Sequence, residues 1–180
     1  INKITEGAAP RRSSSWHLLF GNPDVVSCFE SPELLTRKGV QYHWYNRGYS
    51  DFDDFLNTLT SKKRKMIRKE RESISRQQIA ITLFTGKKID HSIWELFYRL
   101  YERTYAKRNG TRGYLTKKFF DLISNSMSDQ LLMAVAMRHE EPIACALYFY
   151  DSECLYGRYW GSTSEYNHLH FELCYYAGIE

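Results

Sequence analysis

The chain has 180 residues, 43% of them hydrophobic and 16% aromatic, with a formal net charge of +4. That length and apolar content are enough for a buried core and exclude a disordered chain, and the charge excess is too small to imply nucleic acid by itself. Four widely spaced cysteines form no C-x-x-C unit, so neither a zinc site nor a disulfide scaffold is expected, and no apolar run approaches the roughly 18 residues of a membrane span.

In chain order, residues 1–15 are polar and small and read as a linker or loop. Gly21, Asn22, Pro23 and Asp24 make a turn signal. Ser31 as a cap and Pro32 at the first helical position predict a brief helix through Arg37, ended by Gly39. Val40 to Tyr45 reads as a strand. After a Ser50/Asp51 cap, Phe52, Phe55, Leu56 and Leu59 recur at helical spacing. Ser61 to Gln77 predicts a highly charged helix with few apolar positions (Met66, Ile67, Ile74). Ile79, Ile81 and Leu83 alternate with Ala80 and Thr82 as a strand. Asp90 caps an amphipathic helix with Ile93, Phe97, Leu100 and Thr104 on one stripe, closed by Asn109 and Gly110. Thr116 caps another, carrying Phe119, Phe120, Leu122 and Ile123.

Three apolar runs of strand length follow: Leu131–Met137, Ile143–Tyr150 and Cys154–Trp160. The links between them are short and polar, which forces antiparallel neighbours. Gly161 to Asn167 is a polar loop, and Leu169 to Ile179 a last helix. The order gives an α/β (α+β) fold whose mixed sheet holds an antiparallel three-strand meander flanked by helices. Residues 1–49 are expected to be a linker with a short strand and helix, and residues 50–180 the main domain. The fourteen tyrosines are expected chiefly at the edges of the core.

Two segments carry a family resemblance. Ser61 to Arg71 resembles the basic block SKxRKxIRKER of the FemAB-like peptidoglycan biosynthesis/recognition proteins. Leu155 to Gly161, followed by Leu169 to Tyr176, resembles their LYGRYWG…LHFELCYY signature. The likeness runs from Trp16 to Glu180. It implies a GNAT-type acyl-CoA N-acyltransferase fold over residues 50–180 cut short at its C-terminal strands, with residues 1–49 as the tail of a preceding domain, in a cytoplasmic bacterial protein. It further implies transfer of an acyl or aminoacyl group, from acyl-CoA or aminoacyl-tRNA, to an amine on a small molecule or a peptidoglycan precursor. The alternative is an inactive module that binds peptidoglycan fragments or tRNA. No covalently bound cofactor is expected, and no covalent enzyme intermediate, because no serine or cysteine is set beside a base.

The candidate residues gather where the last strand meets the last helix. A helix N-terminus offers unpaired N–H groups to an anion, so Tyr159, Trp160, Gly161, Ser162 and Leu169 are donor-binding candidates, although Glu165 nearby would oppose a negative ligand. His168, His170 and Glu172 are the acid/base candidates, since amine acylation needs a proton acceptor and a donor to the leaving group. His168 and Glu172 are alternatively a surface i,i+4 pair, and His170 a satisfied core residue. Arg158, with Tyr156, is a substrate clamp for carboxylate or phosphate, or else the ion-pair partner of Glu153 or of a residue on the further C-terminal strands that the resemblance implies. Lys62, Lys63, Arg64, Lys65, Arg68 and Lys69 track a phosphate backbone, rest on an anionic leaflet, or form a solvated face with Arg68–Glu72 and Glu72–Arg76 pairs. Metal binding is not expected, for want of a third convergent ligand.

Overall fold

A computed structural model describes residues 15–19, 21–29, 31–32 and 34–180. The chain forms two compact units, Ile1–Tyr45 and Asn46–Glu180.

In the first unit the turn signal at 21–24 is the start of a helix. Helix α1 (Pro23–Ser27) has Asn22 as its cap, with the side-chain oxygen accepting from the Val25 N–H at 2.8 Å. Asn before Pro suits a cap and first helical position as well as it suits a turn. The helix expected from Ser31 to Arg37 is not formed over its described residues, and Glu33 lies outside them. Val40–Tyr45 is not a strand either, and Tyr42 is 96% exposed. Alternating aromatics make a strand only within a ladder.

The second unit opens with helix α2 (Phe52–Asn57), where Asp51 accepts from the Asp54 N–H at 2.7 Å. Thr60 caps the charged helix α3 (Ser61–Arg76), and strand β1 is Ile79–Thr85. Helix α4 (His91–Asn109) is bounded as expected, by the Asp90 side chain on the Ile93 N–H at 3.0 Å and by left-handed Gly110. Thr116 occupies the cap of helix α5 (Lys117–Ser126) but makes no side-chain capping bond, a correction to its expected role. Strands β2 (Leu131–Arg138), β3 (Glu141–Tyr150) and β4 (Leu155–Ser162) follow. His139 and Glu140 both have positive φ in the β2–β3 turn, which matches the twist of a tight hairpin. The last helix, α6, is α-helical over Leu169–Phe171, makes a π-helical turn over Glu172–Tyr176, and is α-helical again over Ala177–Ile179.

The four strands stand in the order β1-β2-β3-β4, each neighbour antiparallel. The mixture in this α/β fold therefore lies in the alternation of helices and strands, not in strand direction. One face of the sheet, with Met133, Val135, Cys145 and Leu147, packs against Leu96, Phe97, Leu100 and Tyr101 of α4 and Phe120 and Ile123 of α5. The other, with Ala134, Ala136, Ala144, Ala146 and Tyr148, meets Ile74 of α3 and Leu169 and Leu173 of α6. Burial on both faces is why β2 and β3 read as continuous apolar runs. Phe52, Leu56, Ile67 and Tyr176 make a third cluster joining α2, α3 and α6.

Candidate functional site

The local feature that organises the site is an extra residue in β4. Leu147 pairs with Tyr159 and Tyr148 with Gly157, so Arg158 has no partner across the ladder and forms a β-bulge. A bulge turns the following side chains over. Tyr159 accordingly joins the core under α4 and α5, whereas Trp160 joins the core under α6. Tyr156, Arg158 and Trp160, alternate positions that a regular strand would set on one face, are thus divided.

On the α4 side, the Tyr159 ring stands edge-on to Tyr101 at 5.5 Å, and its hydroxyl is 3.1 Å from that of Tyr114. The Arg158 guanidinium lies 5.1 Å from the centre of the Tyr159 ring and makes no ion pair among the described residues. Glu153, its expected alternative partner, instead donates its backbone N–H to Asp151 at 2.8 Å. Tyr114 is fixed by its neighbours in the loop. Gly113 has φ +91° and packs so tightly on Tyr101 that a Cβ would sit 2.7 Å from the ring, while the Leu115 N–H donates to the Tyr101 hydroxyl at 3.2 Å. Tyr105 meets Tyr114 edge-on at 5.6 Å. Tyr114 remains 63% exposed. Hydrogen bonding from Tyr159, then Tyr105, holds its phenol below the ordinary tyrosine value, with Arg158 adding to the effect. Burial, then the bond to Tyr114, pushes Tyr159 up to about 12. Tyr105 and Tyr114 are site residues that sequence reasoning missed; the i,i+4 spacing of Tyr101 and Tyr105 beside two glycines was the available signal.

On the α6 side, His170 stands edge-on to Trp160 at 4.6 Å and to Tyr175 at 5.6 Å. Burial lowers its pKa, and Arg108 lowers it further, so the imidazole is neutral at neutral pH. His168 is exposed, lies before the helix with φ +63°, and makes no side-chain capping bond. Its carbonyl accepts from the Glu172 N–H at 3.1 Å.

The expected pairing of His168 with Glu172 is not made. Glu172, only 5% exposed, is held by Arg71 through contacts of 3.0 and 3.2 Å, and Arg71 also pairs with Glu180 and lies over the Phe52 ring at 4.5 Å. This arrangement ties α6 to α3.

Two of the donor candidates serve the fold. Gly161 lies within β4 rather than in a loop, and a Cβ there would be 2.4 Å from the Leu100 carbonyl oxygen. Leu169 is a buried core residue. The Ser162 hydroxyl donates to the Ser164 carbonyl at 2.7 Å. Glu165 is paired with Lys107, which offsets the negative charge near the start of α6. Tyr156 is apart from these groups and donates to Asp151 at 3.1 Å.

A family model described as peptidoglycan biosynthesis/recognition, FemAB-like, matches residues 1–180. The chain belongs to the FemAB-like family. No curated protein matches it. Membership ties this FemAB-like chain to peptidoglycan-related biosynthesis and makes a peptidoglycan precursor the suggested substrate.

The basic helix of the FemAB-like chain is partly committed to its own fold. Arg64 donates to the Leu59 carbonyl at 2.8 Å, and Arg68 pairs with Asp53 at 2.9 Å rather than with Glu72. Glu72 pairs with Arg76 as expected, at 2.8 Å. Lys62, Lys63, Lys65 and Lys69 are exposed and make no ion pair among the described residues. Among the described residues no cluster of three metal-ligating side chains occurs, and no helix is long and apolar enough to cross a membrane.

Proposed function

We propose that this FemAB-like chain is an N-acyltransferase. It moves an acyl or aminoacyl group from acyl-CoA or aminoacyl-tRNA to an amine, on a peptidoglycan precursor. In the transfer the amine nitrogen attacks the acyl carbon. A C–N bond forms, the C–S or C–O bond to the carrier breaks, the amine gives up a proton, and the leaving sulfur or ribose oxygen takes one. His170 is the proton acceptor, because it is neutral and its ring is held by Trp160 and Tyr175. The donor's phosphates lie at the first turn of α6, where the Leu169 N–H donates to the Tyr166 carbonyl at 3.3 Å but the His168 side chain caps no backbone N–H group. Arg158 holds a negative group of the acceptor.

The observation that carries this reading is the family match over the whole chain, supported by the antiparallel meander leading into a helix without a side-chain cap. The test is mass spectrometry of the 180-residue chain incubated with acyl-CoAs or aminoacyl-tRNAs and amine acceptors. A mass increase on the acceptor, lost in folded His170→Ala, is the expected result. No product and no donor binding overturn the reading.

One observation favours a second reading, a binding module without catalysis: Glu172 is consumed in a buried ion pair, leaving fewer groups for proton transfer. Salt-sensitive tRNA binding without product supports that alternative.

A further inference from the structure

Arg158 is a guanidinium surrounded by phenols. The bulge places it against the Tyr159 ring, and no carboxylate neutralises it among the described residues. Two hydroxyls, those of Tyr114 and Tyr159, lie 3.1 Å apart beside it. The loop that presents Tyr114 is pinned by Gly113 against Tyr101 and by the Leu115 N–H on the Tyr101 hydroxyl. Facing this point are Tyr101 and Tyr105 from α4 and Arg158 and Tyr159 from β4, so the only full charge on those residues is positive. A planar fork of N–H donors with rotatable O–H groups beside it matches the lone pairs of an oxyanion, and the positive charge of Arg158 disfavours a cation there.

We propose that Arg158, Tyr114 and Tyr159 form a receptor for an oxyanion, the carboxylate or phosphate group of a ligand, in which the neutral Tyr114 phenol is one of the donors. The identity of the ligand as the acceptor rests on the transferase reading; the binding itself needs no donor and no turnover. The Tyr114 phenol reaches solvent, whereas Tyr105 and Tyr159 are half-buried, so its anion is the best hydrated of the three. Its ionisation removes an O–H donor and sets a negative oxygen beside Arg158, competing with the ligand. Linkage then requires the converse: a bound anion moves Tyr114 ionisation to higher pH.

The experiment is an absorbance titration of tyrosinate in the full chain. It is run in sodium chloride and then with acetate or with inorganic phosphate at matched ionic strength. The earliest-ionising tyrosine is expected to be missing in Tyr114→Phe and to move to higher pH with the anion. A shift with acetate alone marks a carboxylate site, and a shift with phosphate alone marks a phosphate site. Arg158 is exposed, so Arg158→Met leaves the core intact; it should abolish the shift and weaken anion binding about tenfold or more. Tyr159→Phe, which keeps the ring and the charge, should weaken it less. A shift with neither anion, or one that survives Arg158→Met, overturns the receptor. A chain that shows the shift but transfers no acyl group loses only the transferase reading, and a chain that transfers without the shift loses only the receptor.

Discussion

Replacing Arg71 with Met tests whether Glu172 is a structural or a chemical residue. Met preserves an unbranched apolar stem over Phe52 but removes the cation. The Glu172 side chain, 7% exposed, is then left as a buried carboxylate without its partner. Removing one member of a buried pair costs about 3–5 kcal/mol. The contact to the exposed Glu180 adds about 0–1 kcal/mol, and the stack on Phe52 about 0.5–1 kcal/mol. Because the Arg71 side chain is itself 28% exposed, water reaches the site once it is gone, and the total should fall near 3 kcal/mol, the low end of that range. Glu172→Gln keeps a carbonyl acceptor for the guanidinium and should cost less, about 1–2 kcal/mol. Urea unfolding of both variants and of the double variant, compared at a common slope, measures the costs and their coupling. Arg71→Met costing under about 1 kcal/mol, or no more than Glu172→Gln, would refute the argument and return Glu172 to the acid/base candidates.

Three further outcomes follow from the geometry. Gly161→Ala puts a methyl 2.4 Å from the Leu100 carbonyl oxygen; separating β4 from α4 should cost about 1–3 kcal/mol or more, read as a lower thermal midpoint. His170 has a folded pKa below its usual 6.5, so the unfolded chain takes up the proton first as pH falls. Its contribution to stability is therefore complete above about 6.5 and is lost as pH drops through the window down to the lower folded value; His170→Gln should flatten that part of the urea-midpoint profile. Changing Lys62, Lys63, Lys65 and Lys69 to Gln should alter stability by less than about 0.5 kcal/mol. If tRNA is the donor, the same changes should reduce the slope of log binding constant against log salt by roughly 0.7–0.9 per lysine that touches phosphate.

What could be read in advance was whatever rests on local chemistry. Helix α4 is bounded by a cap at Asp90 and a left-handed Gly110, and both act within a turn of where they stand. The meander was legible because strands buried on both faces leave long apolar runs separated by tight links. The first unit misled for the opposite reason. Val40–Tyr45 has the alternation of a strand, but alternation specifies a face and not a partner. Asn22 and Pro23 satisfy a turn and a helix start equally, and context alone decided for the helix. At the site, the two halves of the signature were visible while their disposition was not. Nothing in the identity of Arg158 marks it as the inserted residue of a bulge, and Tyr114 acquires its place only when Gly113 folds onto Tyr101.

The bulge also limits which ligands can use the whole site. Without it, Tyr156, Arg158 and Trp160 would project from one face, and one small pocket could collect an anion and a base together. With Arg158 inserted, Tyr159 turns toward α4 and Trp160 toward α6. The guanidinium with its phenols and the imidazole with its indole are consequently on opposite sides of one strand. The separation of packed layers is on the order of 10 Å, which in the proposed transfer is beyond the reach of a small amine that must also meet an acyl carbon. A ligand touching both has to pass around the exposed stretch of β4 at residues 155–158. Under the proposed transferase function, only an extended acceptor, with its negative group well removed from its reacting nitrogen, meets that condition, and a short amino acid does not.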